Sequence, residues 1–120
     1  MTREAEIKAR PQMKEHEFLR QVLQLAALTG WRAAHFRPGR TVNGSWRTAV
    51  QGDGAGFPDL LLIHAKRGVV LVAELKVGRG KVTADQDTWL GAFTAAGVPA
   101  YLWRESDWDE IERVLKGEAE

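Results

Sequence analysis

The chain has 120 residues, 44% of them apolar and 28% charged, which excludes a disordered or fibrous polypeptide and fits one compact domain. It contains no cysteine, so disulfides, thiolate zinc sites, iron–sulfur clusters and cysteine nucleophiles are all excluded. The net charge of +1 hides an asymmetry: Gly30–Gly52 holds four arginines and no acid, whereas Arg104–Glu120 holds seven acids against three bases, predicting a face turned to a polyanion and an acidic back.

Residues 1–13 are polar, aperiodic and interrupted by Pro11, which predicts a flexible leader ahead of one domain over 14–120. They hold no secretory apolar core, and no run in the chain approaches the roughly 18 residues that span a bilayer. A reducing cytoplasm is therefore the expected location. A helix is predicted over 14–29, where Phe18, Leu19, Val22, Leu23, Leu25 and Ala26 recur at helical spacing before Gly30. On that wheel Glu15 points with Phe18 and Val22, and Glu17 points away. Glu15 either joins a site or serves the helix dipole in the first turn.

Residues 31–36 fit a short strand whose His35 is a candidate base or phosphate contact, or simply structural. Residues 37–58 hold five of the twelve glycines and two of the four prolines, so they read as a long loop with a minor strand near Trp46–Val50. Loops of that length in compact domains usually carry function. The stretch Gly52–Gly56 lacks the Gly-Lys-Ser/Thr ending of a phosphate loop. Asp53 within it is a candidate accessory acid. Trp31 and Trp46, lying among arginines, are candidates to stack on bases. Trp46, Val50, Ala55 and Phe57 give this loop an apolar character that a second copy of the chain would cover.

Two apolar runs, Asp59–Ala65 and Val69–Val77, flank Lys66-Arg67-Gly68, which predicts a hairpin. The odd positions of the second run are all apolar and face a core, while Glu74 and Lys76 lie on the other face near its end. A two-residue turn at Lys66-Arg67 would set Ala65 against Gly68 and, counting back, Asp59 opposite Glu74, whereas a slip of two residues would set Asp59 opposite Lys76 on the same face. Facing carboxylates persist mainly where a cation neutralises them, and oxygen donors without His or Cys favour Mg²⁺ or Mn²⁺ over zinc. A plain salt bridge between Glu74 and Lys76 is the alternative. A loop at Gly78–Lys81 precedes a helix predicted over 84–96, in which Gln86 points inward with Trp89, Leu90 and Phe93. Thr83-x-x-Gln86 also matches a capping box, and the two roles do not exclude one another. Pro99–Arg104 is a last strand, and Ser106 opens a final helix to Lys116 with Trp108, Ile111 and Leu115 on one face. Trp89, Trp103 and Trp108 are expected in the core. The order α-β-β-β-α-β-α predicts an α/β domain with a mixed central sheet.

Gly56-Phe57-Pro58-Asp59, then Glu74-Leu75-Lys76, then Gln86 resemble the PD-(D/E)xK nuclease superfamily, and more closely a stand-alone VRR-NUC domain of the virus-type replication-repair nucleases. The likeness runs over about residues 15–116 and includes Gly30-Trp31, His35-Phe36-Arg37, Arg47-Thr48, Gln51-Gly52-Asp53 and Trp103–Trp108. It implies a restriction-endonuclease-like αβββαβ core with a C-terminal helix and Mg²⁺- or Mn²⁺-dependent phosphodiester hydrolysis. It implies that Asp59 and Glu74 hold the metal together with the backbone carbonyl of Leu75. Lys76 would orient or activate the attacking water, Gln86 would help position them, and Glu15 would be the acid of the first helix. His35, Arg37, Arg40, Arg47, Arg79 and Lys81 are expected to contact DNA phosphates. Small stand-alone members resemble Holliday-junction resolvases and act as dimers, so branched DNA and a homodimer are the expected partners. The alternatives are a non-catalytic DNA-binding module and a flap- or restriction-type nuclease.

Overall fold

The computed structural model describes residues 14–36, 39–40, 46–47 and 54–118, and the side chains of 39–40 and 46–47 are outside that description. The leader expected over 1–13, Arg37 and Asp53 also lie outside it. Helix α1 spans Glu15–Leu28. Phe18, Val22 and Ala26 lie one turn apart along it, and each is fully buried. The helix stops at Thr29, whose hydroxyl donates back to the Leu25 carbonyl at 2.7 Å, and Gly30 turns the chain with φ at 94°. A side chain at Gly30 would place its Cβ 2.8 Å from His64 Nε2, so this glycine also admits a close approach.

Strand β1 is Arg32–His35, and β2 (Gly39–Arg40) pairs with β3 (Trp46–Arg47) as a short separate ribbon. The main sheet continues with β4 (Leu60–His64) and β5 (Val69–Lys76). Helix α2 (Ala84–Ala95) then crosses over to β6 (Ala100–Arg104). A 3₁₀ turn at Glu105–Asp107 leads into α3, Trp108–Lys116. The predicted opening of the last helix at Ser106 is thus corrected to Trp108. The Asp107 carboxylate accepts from the Arg104 amide at 2.9 Å and tightens the intervening turn.

The sheet runs β1-β4-β5-β6, antiparallel through its first two pairings and parallel between β5 and β6. This is the expected α/β fold with a mixed sheet and a C-terminal helix. The hairpin register sets Leu60 against Ala73 and His64 against Val69, and the Gly68 amide donates to the Ala65 carbonyl at 3.2 Å. The strands stop at His64 and Val69, so the turn is Ala65–Gly68, with Gly68 at φ 66°, instead of the two residues expected. The register is nonetheless the one counted, and one further step sets Asp59 opposite Glu74.

The core lies between one sheet face and helices α1 and α3, where Leu60, Leu62, Leu71, Leu75 and Trp103 meet Phe18, Val22, Ile111 and Leu115. Trp31 belongs to this core. Its indole donates to the Leu115 carbonyl at 2.8 Å, and the Arg67 guanidinium lies 5.2 Å from the ring centre. The expectation that Trp31 stacks on bases is therefore overturned, because both the edge and the face of its ring are already engaged. Helix α2 takes the opposite face, beside Glu74, and none of its residues is fully buried. Trp103 is buried as expected, whereas Trp89 and Trp108 are half-buried.

Candidate active site

The loop that delivers Asp59 is clamped onto α2. Gly56 has φ at 80°, and a Cβ there would lie 2.5 Å from the Asp85 carbonyl carbon and 2.6 Å from the Gln86 nitrogen. Only glycine fits such an approach to a helix backbone. The Trp89 indole donates to the Ala55 carbonyl at 3.1 Å. Phe57 packs edge-on against Trp89 and Phe36, with ring centres 5.0 and 5.1 Å apart. Phe57 thus folds back onto its own chain instead of forming the apolar loop surface expected for a dimer contact. Ala55 is exposed, and Trp46 and Val50 lie outside the described side chains.

Beyond the buried Pro58, Asp59 and Glu74 are tied to each other's strands. The Asp59 amide donates to Glu74 Oε1 at 3.2 Å, and the Leu75 amide donates to Asp59 Oδ2 at 2.8 Å. Glu74 Oε2 accepts from the Gln86 side-chain amide at 2.7 Å and lies 3.7 Å from Lys76 Nζ. Gln86 does both things that its position allows. Its carbonyl oxygen accepts from the Thr83 amide at 2.9 Å, and its backbone amide donates to the Thr83 hydroxyl at 3.1 Å, completing the capping box. One side chain therefore caps α2 and fastens that helix to Glu74.

Glu74 is 2% exposed. Burial is the main cause that pushes its carboxyl up to about 8, the facing Asp59 pushes it further, and Lys76 partly opposes them. Asp59 is also raised, first by burial and then by Glu15, while the Leu75 amide and His35 pull it down. Glu15 and His35 are both solvent-exposed, yet each is close enough for its charge to be felt at Asp59. Glu15 sits in the exposed first turn of α1, and the two roles open to it coexist there, since its charge complements the helix dipole and is felt at Asp59.

The structure brings Asp59, Glu74, Lys76 and Gln86 into direct contact, with Leu75 supplying a backbone amide. Arg79 and Lys81 are exposed on the loop that follows Lys76. Arg40 and Arg47 have described backbones in the β2–β3 ribbon, and their side chains lie outside the description. Sequence reasoning gave Arg104 and Glu105 no role, yet the parallel register places Arg104 beside Lys76. No spacing rule reveals that, since a crossover helix leaves the register of its second strand open.

Two desolvated carboxylates that resist simultaneous ionisation form a donor set suited to a hard divalent cation. Among the described residues no cluster of three or more His, Cys, Asp or Glu side chains is arranged to hold a metal. The remaining coordination would fall to a backbone carbonyl and water, which Mg²⁺ tolerates because it keeps several waters. Among the described residues, no helix is long and apolar enough to cross a membrane.

Comparison with curated proteins and with solved structures returned no match. The family model for the VRR-NUC domain matches residues 4–106. The matched span contains the loop at Gly56, the facing acids Asp59 and Glu74, Lys76 and Gln86, and with it the chain belongs to the VRR-NUC domain family of nucleases.

Proposed function

We propose that this chain is a structure-selective DNA endonuclease dependent on Mg²⁺ or Mn²⁺, acting on branched DNA such as a four-way junction. The observation that carries the reading is the Asp59–Glu74 pair: two facing carboxyls withdrawn from water, with Glu74 pushed up to about 8. An idle DNA-binding module has no use for such a pair, which destabilises the fold near neutral pH. Asp59, Glu74 and the Leu75 carbonyl would hold the cation, which supplies charge neutralisation at the phosphate and a more acidic water. Lys76, half-buried beside Glu74, orients the attacking water and handles its proton. Gln86 holds Glu74 in place, and Glu15 tunes Asp59 from the helix end.

The test is cleavage of duplex, single strand, flap, fork and four-way junction in Mg²⁺ or Mn²⁺, with Lys76→Ala and Glu74→Gln as probes. Each variant should lower the rate by at least about 10²-fold. DNA affinity should change only a few-fold, because phosphate contacts dominate it. Normal cutting by Glu74→Gln would refute the assignment of the site.

A further inference from the structure

Arg104 ends β6 directly beside Lys76, and paired positions of neighbouring strands share a sheet face. Its surroundings differ from those of Lys76. The lysine has Glu74 at 3.7 Å, whereas Arg104 makes no ion pair among the described residues. That is unexpected, because acids follow it at Glu105 and Asp107. Both are turned to backbone amides: Glu105 Oε1 accepts from the Gly78 amide at 2.6 Å, and Asp107 Oδ2 accepts from the amide of Arg104 itself. Among the described residues the guanidinium donates one bond, from Nη1 to the Gly78 carbonyl at 3.2 Å.

Residues 104 and 105 thus grip one glycine by its carbonyl and its amide. Gly78 has φ at 55°, and it begins the loop that carries Arg79 and Lys81. The same loop returns over the lysine stem, since a Cβ at Gly80 would lie 3.5 Å from Lys76 Cδ. The result is a half-buried guanidinium, oriented by a single carbonyl, with most of its five donors uncommitted among the described residues. A planar fork of donors held in one orientation suits an oxyanion.

We propose that Arg104 binds a backbone phosphate of the DNA strand engaged at Asp59 and Glu74. The proposal rests on the nuclease reading above for the identity of the polyanion. The ends of β5 and β6 then divide two tasks: Lys76 answers the buried carboxylate, and Arg104 answers the incoming phosphate.

The experiment titrates a fluorescein-labelled four-way junction with the full chain in EDTA over a series of KCl concentrations. Arg104→Gln should weaken binding severalfold and lower the slope of log K against log salt by about 1, the signature of one lost phosphate contact. Arg104→Lys should recover the slope, because charge alone sets counterion release. Arg113→Gln, on α3, should leave it unchanged. An unchanged slope in Arg104→Gln would overturn the proposal, as would a lowered melting temperature with a slope that Arg104→Lys fails to recover. If the wild-type chain binds the junction yet cuts nothing in Mg²⁺ or Mn²⁺, the catalytic reading fails and the slope still decides Arg104.

Discussion

Glu74 has a different kind of neighbour on each side: a like charge at Asp59, a neutral donor at Gln86 and a cation at Lys76. Burial raises its folded-state pKa from 4.5 to about 8, and this fixes the sign of a pH effect. Below about pH 4.5 the folded and unfolded chains both hold the proton, and the stability it contributes is fully present. Between about 4.5 and 8 the unfolded chain releases that proton while the folded chain keeps it, so stability falls as pH rises. In EDTA the melting temperature should therefore drop from about pH 5 to about pH 8. Mg²⁺ or Mn²⁺ should raise it most at the upper end, where the cation replaces the proton. Glu74→Gln should flatten both trends, and a steep profile surviving that change would place the titrating group elsewhere. Asp59, raised for the same reason, acts in the same direction.

The two roles of Gln86 can be separated at this scale too. Thr83→Ala removes the cap alone, at about 1 kcal/mol. Gln86→Ala removes the cap and the bond to Glu74 together. Thr83→Ala should lose about 4 °C of melting temperature and keep its cleavage, whereas Gln86→Ala, which also strips a partner from buried Glu74, should lose more stability and most of its cleavage. Parallel activity losses would reduce Gln86 to a helix cap. Glu15→Gln should likewise impair cleavage more than Glu17→Gln, since Glu15 is the acid whose charge reaches Asp59.

Among the elements, the β4–β5 hairpin is tied to the end of α3 through its turn. Arg67 lies over Trp31 and donates to the Leu115 carbonyl at 3.4 Å, the same oxygen that accepts the Trp31 indole. Arg67→Ala should cost about 1 kcal/mol through the lost cation–π contact and helix-end bond, read as a shift of the denaturant midpoint without a change of slope. Cleavage by that variant should be unaffected, since the turn lies at the opposite end of β5 from Lys76.

The same elements show what a reader of the sequence can and cannot see. The facing of Asp59 and Glu74 was legible because counting back from the turn pairs them, and a slip of two residues would still have left Asp59 on that face, opposite Lys76. The buried stripe of α1 was legible from its period. Trp31 was not, because it opens the arginine-bearing, acid-free stretch up to Gly52 while its partner Leu115 lies 84 residues away. Arg104 was missed for a similar reason: parallel pairing through a crossover is decided by how α2 packs, which no local rule encodes. The seat of α2 on Gly56 was also hidden, since a glycine in a glycine-rich stretch reads as a turn.

For the whole molecule, the open question is pairing. One site nicks one strand per encounter, whereas resolving a four-way junction takes two cuts related by a two-fold axis. Light scattering at micromolar concentration should give twice the chain mass, and junction products should be paired and symmetric. A monomeric mass with single nicks on flaps would discard the resolvase reading and leave the cleavage chemistry intact. The expected loop surface for pairing has lost Phe57 to its own α2, while Ile63 and Val70 remain 42% and 37% exposed on the sheet.

The contact of Gly56 with α2 has a consequence in time. The hairpin from Asp59 to Lys76 is local and can close early, on the microsecond scale of hairpins. At that stage it displays two acids that repel, held only by the amides of Asp59 and Leu75. Gln86 reaches Glu74 only when α2 seats on the loop, a step that in synthesis waits for residues emerging behind the hairpin. A nascent or truncated chain therefore contains the acids of the site without the site. Gly56→Ala should hold the finished chain near that stage, at a penalty of about 1–3 kcal/mol for the backbone conformation alone. Its signature would be faster hydrogen exchange along α2 than in β4 and β5. The site thus exists only in a chain that has emerged through α2 and closed that helix onto Gly56.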